Sequence, residues 1–64
     1  MFLDFAGMMI NTNYIISIYR TRSHDKVFEV NIQLYPSNNI IKEAYNTRQE
    51  AKIRFDEITT KVNK

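Results

Sequence analysis

Along residues 28–35, apolar and polar side chains alternate without interruption. Phe28, Val30, Ile32 and Leu34 lie on one side, and Glu29, Asn31, Gln33 and Tyr35 on the other. A period of two sustained over that length predicts a strand with one buried face. Residues 14–22 repeat the pattern more loosely, with Ile16 and Ile18 on one face and Ile15, Ser17 and Tyr19 on the other. β-Branched and aromatic residues dominate both segments, and such residues pack well on a pleated surface. Strands at about 14–22 and 27–35 would close as an antiparallel hairpin. Directly opposed residues share a face, so the expected register sets Ile18 against Val30 and Ile16 against Ile32. It leaves Ser23, His24 and Asp25 as a three-residue loop. The last loop position takes a left-handed conformation. Asp25 tolerates that better than Lys26, which the alternative of Ile18 against Ile32 would place there.

Shorter elements flank the hairpin. Residues 2–5 read as a strand, turned at Ala6-Gly7 into a second at 8–11, with a break or bulge at Thr12-Asn13. Pro36, Ser37, Asn38 and Asn39 form a turn cluster, and residues 40–45 read as one further strand. Thr47-Arg48-Gln49-Glu50 is a capping box that opens a helix over 48–62. Its apolar stripe is Ala51, Phe55, Ile58 and Val62, spaced for one helical face. Glu50–Arg54 and Glu57–Lys61 are expected as outward i,i+4 pairs. Lys61 and Lys64 fall at the negative end of the helix dipole. The stripe is expected to cover Ile16, Ile18, Val30, Ile32 and Leu34. The predicted fold is α+β, a single domain over 1–64. It has one small antiparallel sheet of four to five strands and one C-terminal helix packed on one face.

Size limits what such a fold can do. The chain has 64 residues, no cysteine and one histidine. A domain this short buries only about 60% of the surface its unfolded chain exposes, and no disulfide can compensate. A self-contained enzyme is disfavoured, because pocket walls are hard to build from so little chain. Hydrophobic residues at 44% and charged residues at 25% place the chain among folded proteins rather than disordered ones. No apolar run approaches the ~18 residues of a membrane span. Residues 1–7 are too short for a signal peptide and contain Asp4. Without cysteine or an export signal, a cytoplasmic location is expected.

Catalytic and metal chemistry find little support. Ser23, His24 and Asp25 are sequence neighbours, whereas a catalytic chain needs groups converging from separate elements. They read as a polar hairpin tip. Asp25, Glu29 and Glu43 have no recurring ligand spacing, and Gly7 is the only glycine, which excludes a glycine-rich phosphate loop. No catalytic residue, metal site or cofactor is expected.

The chain runs from an N-terminal strand and glycine through Ile10-Asn11-Thr12-Asn13-Tyr14-Ile15-Ile16-Ser17-Ile18, a hairpin and a final helix. This order resembles tiny bacterial and phage modules such as the flagellar-operon family FlbD, with their opening of strand, asparagine, two residues, isoleucine and strand. Ser37-Asn38-Asn39 stands where that family has a second glycine-containing turn. The resemblance implies a small β-rich module that acts by binding, and it carries over no functional residue.

Two surfaces are candidates for binding. Arg20, Arg22, His24 and Lys26 share parity near the hairpin tip. Arg20 and Arg22 would lie on the helix-packed face just beyond the core, where guanidinium forks suit a phosphate or carboxylate. Tyr19, Tyr35 and Tyr45 offer stacking surfaces. The anion-binding candidates are therefore Arg20, Arg22, Tyr19 and Lys26, against the plainer reading of charges snorkelling around an apolar edge. The face opposite the helix carries Ile15, Tyr19, Val27 and Tyr35, and Ile53 lies off the helical stripe. These five are candidates for an interface between copies, since mixed aromatic, aliphatic and amide surfaces are typical of interfaces. A net charge of +2 falls short of a dedicated nucleic-acid-coating protein. The expectation is a non-enzymatic, homo-oligomeric binding protein. Abundant Asn, Ile and Lys have A/T-rich codons, which hints at a low-GC bacterium or its phages. The expected role is thus a phage or mobile-element accessory protein that inhibits a host defence protein or sequesters a small anionic ligand such as a nucleotide. A nucleic-acid-binding regulator using the basic hairpin is the second choice.

Overall fold

A computed structural model describes residues 1–62 as an α+β fold. β1 (Phe2–Phe5) and β2 (Met8–Asn11) pair antiparallel through a two-residue turn. Ala6 and Gly7 both have positive φ there, at 52° and 77°. That turn type twists in the same sense as its strands. A 3-10 turn at Thr12–Tyr14 follows, with the Asn11 side chain accepting the Asn13 N–H at 3.0 Å. Then come β3 (Ile15–Arg22), β4 (Phe28–Leu34), β5 (Ile40–Tyr45) and α1 (Arg48–Val62).

The five strands form two sheets, β1-β2 and β3-β4-β5, all antiparallel, rather than one sheet of four to five. The Thr12–Tyr14 turn redirects the chain after β2, which leaves β1 as its only sheet neighbour among the described residues. Tyr14 belongs to that turn rather than to β3, and Val27 and Tyr35 lie just outside β4.

Three inner faces meet in one core. Val30 and Ile32 come from the central strand β4, and Ala51 and Ile58 from α1. Leu3, Phe5 and Ile10 come from the β1-β2 hairpin, which is a third wall beside sheet and helix. Ile15, Ile18, Phe28, Leu34, Ile41, Tyr45, Phe55 and Val62 close around them, half-buried.

The β3-β4 register differs from expectation. Ile18 opposes Ile32, Arg20 opposes Val30 and Arg22 opposes Phe28. Lys26 therefore takes the left-handed position, with φ 62°. The cost of one left-handed residue is about 1–2 kcal/mol. Pairing along the whole strand outweighs it. Ile18, Ile32 and Ile41 form one row across three strands. On the other face Ser17 donates to Gln33 and Thr21 to Glu29, each at 3.1 Å. Lys26→Gly should raise stability by about 1 kcal/mol, because glycine holds this φ without strain. A thermal melt checks it; a lowered midpoint would mean that the loop conformation is different.

A register shift between Ile15 and Ser17 inverts the local parity of β3. Such a bulge inserts one extra residue and re-aims its neighbours. Ile15 thus turns inward against the core, and Ile16, expected there, is 49% exposed.

At the helix start, Thr47 Oγ1 accepts the Glu50 N–H at 3.2 Å and donates to Glu50 Oε1 at 3.0 Å. The expected outward pairs do not form. Arg54 bonds Glu57 and Glu43 instead of Glu50, and the i,i+4 pair present is Lys52–Asp56 at 2.8 Å. Glu43 on β5 and Glu57 on α1 together occupy the Arg54 guanidinium, while Glu50 is engaged with the capping Thr47. Lys64 lies outside the described residues.

Candidate functional site

A cleft of about 520 Å³ opens between β3 and the first turns of α1. The register explains what lines it. Inward parity in β3 passes from Ile18, beneath the helix, to Arg20 and Arg22, beyond the helix-covered core. Arg22 stands opposite Phe28, so its side chain lies along that ring. The capping threonine starts α1 at Arg48, which brings a third cation to the same rim.

Each guanidinium rests on an aromatic face. Arg20 lies 5.0 Å from the Phe55 ring centre, Arg22 5.6 Å from Phe28, and Arg48 6.0 Å from Phe28. Contacts within about 6 Å gain from the ring quadrupole, and they hold flexible side chains in place. Ala51 lies between Arg48 and Phe55 along the cleft, where its small side chain leaves room. Among the described residues, none of the three arginines is in an ion pair; the pairs present are Lys52–Asp56, Arg54–Glu43 and Arg54–Glu57. Three like charges in one cleft repel one another, and an entering anion relieves that repulsion.

Sequence reading named Arg20 and Arg22 but missed Arg48. Its signal was the position immediately after the N-cap Thr47, which places a side chain at the helix mouth. Of the other anion-binding candidates, Tyr19 is half-buried and lines the cleft, whereas Lys26 is at the exposed hairpin tip and does not. Phe28 and Phe55 supply the aromatic faces, in place of Tyr35 and Tyr45. Tyr35 lies past the far end of β4 and is 64% exposed.

The five candidates for an interface between copies do not form one surface. Ile15 packs into the core, and Val27 is half-buried at the hairpin loop. Ile53 projects from α1, which covers the sheet face opposite to that of Tyr19. On that second sheet face, Asn31 is 1% exposed, and its Nδ2 donates to Tyr19 O and Thr21 Oγ1.

A second polar cluster ties the fold together on the other side of the helix. Glu43 accepts from Arg54 Nε at 2.9 Å, from Ala6 N–H at 2.8 Å and from the Tyr45 hydroxyl. Arg54 also donates to Glu57 and to Asp4 O. One carboxylate thus links α1, β5 and the β1-β2 turn, and its bond to Ala6 supports that residue's left-handed backbone. Burial pushes the Glu43 pKa up, but bonds from Arg54, Tyr45 and Ala6, with the Arg54 charge, hold it below its ordinary 4.5. Burial and then the neighbouring Glu43 push the Tyr45 hydroxyl up to about 12.

No group of three His, Asp or Glu side chains among the described residues is arranged to hold a metal ion. No described helix is long and apolar enough to cross a membrane. In comparisons with family models, curated proteins and solved structures, nothing matches the chain.

Proposed function

We propose that this chain is a non-enzymatic binding protein that captures an anionic group in the cleft between β3 and α1. The observation that carries this reading is the convergence of Arg20, Arg22 and Arg48, all unpaired among the described residues, on the rings of Phe28 and Phe55. Guanidinium groups seated on rings lose less freedom on binding, and each can offer a bidentate fork to phosphate or carboxylate. A binder of this size acts by occupancy. It sequesters a phosphorylated ligand such as a nucleotide, or blocks a protein that presents an acidic group.

Inorganic pyrophosphate is the probe that tests the site. Replacing both Arg20 and Arg22 by Ala should weaken its binding by about 100-fold, the effect of two lost charge-assisted contacts. The melting temperature should change little, since both side chains are exposed. Titration calorimetry reads the affinity. Unchanged affinity in the double variant, or no binding to the parent protein, would overturn the reading. Binding of a nucleic acid would instead show the steep salt dependence of counterion release along a phosphate backbone.

A further inference from the structure

The cleft is bounded by five consecutive residues of β3: Ile18, Tyr19, Arg20, Thr21 and Arg22. Successive side chains of a strand point to opposite faces. A cleft lined by five in a row therefore takes in the backbone of β3 as well as its inward side chains. β3 is an outer strand in the order β3-β4-β5.

The hairpin closure fixes which peptide groups that edge presents. Ser23 N–H donates to Val27 C=O at 2.9 Å. Bonded and non-bonded pairs alternate along an antiparallel ladder. Counting back from Ser23, Thr21 and Tyr19 direct their N–H and C=O groups toward Glu29 and Asn31 on β4. Arg22, Arg20 and Ile18 direct theirs away from β4, along the open edge. The two residues that aim guanidinium groups into the cleft thus also offer it free backbone donors and acceptors.

Resting on the anion-binding reading above, we infer that the occupant is an extended acidic segment of a partner protein, which adds to β3 as a further strand. Its carboxylates fall at alternate positions, facing Arg20 and Arg22, with the nearer end within reach of Arg48. Charge complementarity commits the site to this occupant. An added strand matches donor to acceptor along the edge, and opposite charges placed across a strand pair are favourable. A lone anion leaves the edge groups of Ile18, Arg20 and Arg22 unused. Nucleic acid carries phosphates but lacks the alternating donors and acceptors of a strand. A second copy pairing through β3 about Arg20 or Thr21, where the cleft lies, would set arginines against arginines, a recognised device against edge pairing.

Fluorescence anisotropy with labelled peptides tests this. One short peptide alternates Glu with Val. A second has the same composition with its glutamates contiguous. A third is the alternating peptide N-methylated on the amides that face β3. The alternating peptide should bind about tenfold tighter than either control, the effect of about one lost hydrogen bond, and pyrophosphate should displace it. Equal binding of all three peptides would overturn the strand addition and leave an anion site. So would pyrophosphate binding with no peptide binding. Tighter binding of a single-stranded oligonucleotide of equal charge would overturn the inference in favour of nucleic acid. If neither peptide nor pyrophosphate binds, the anion-binding reading falls and this inference with it.

Discussion

Phe5→Ala is expected to destabilise the protein by about 3–5 kcal/mol, the range for truncating a fully buried aromatic. Phe5 has no exposed surface and is the largest fully buried side chain. It is held between the β1-β2 hairpin and the core formed by Val30, Ile32 and Ile58. Arg54 lies 5.7 Å from its ring and extends from α1 to the same hairpin. Stability of roughly 0.05–0.15 kcal/mol per residue gives a chain this size about 3–10 kcal/mol in all. The substitution should therefore leave the protein marginal or unfolded at ambient temperature. Urea unfolding followed by circular dichroism reads the loss. Met9 on the same hairpin is exposed, so Met9→Ala should change stability by less than about 0.5 kcal/mol. Similar small effects at both positions would mean that the hairpin is not part of the core.

Glu43→Ala is expected to cost about 2–3 kcal/mol, somewhat below the range for breaking a fully buried ion pair because both partners keep some exposure. The loss exceeds that of an ordinary surface pair because three donors on three elements lose one acceptor. The same group predicts a pH profile. Glu43 is held below 4.5 in the folded state, so its contribution is present above 4.5 and lost as pH falls through the folded value. Tyr45 is raised from 10.0 to about 12. Its contribution is present below pH 10 and lost as pH rises toward 12. Stability should thus be flat between these limits and fall on both sides. Urea unfolding across pH should show a shallower acid arm in Glu43→Gln than in the parent. An identical acid arm would place the titrating group elsewhere.

Much of the architecture is legible in the chain because the signals are local. The alternation of Phe28, Val30, Ile32 and Leu34 needs only a pleated backbone, and Thr47 with Glu50 needs only a helix N-terminus. What escaped depends on several segments at once. The left-handed residue of one loop is too weak a guide to the β3-β4 register, because three strands and two polar cross-strand pairs decide it. The bulge after Ile15 leaves no mark in a run of β-branched residues, so Ile15 and Ile16 exchange faces unannounced. The hairpin's role as a third wall is likewise invisible, since Leu3, Phe5 and Ile10 are too few to set a period. The candidate site was half legible for the same reason. Arg20 and Arg22 stand out by parity, whereas Arg48, Phe28 and Phe55 join them only once the register and the helix position are known.

Capture of an anionic group by the arginine cleft is tested most directly by pyrophosphate titration of the isotopically labelled protein, followed by NMR. The expected result is saturable shifts of the backbone amides of Arg20, Arg22 and Arg48 and of their side-chain Nε–H signals, with little change at residues 24–26, Lys52 or Lys61. No saturable shifts, or shifts spread over the exposed lysines and the hairpin tip, would contradict it.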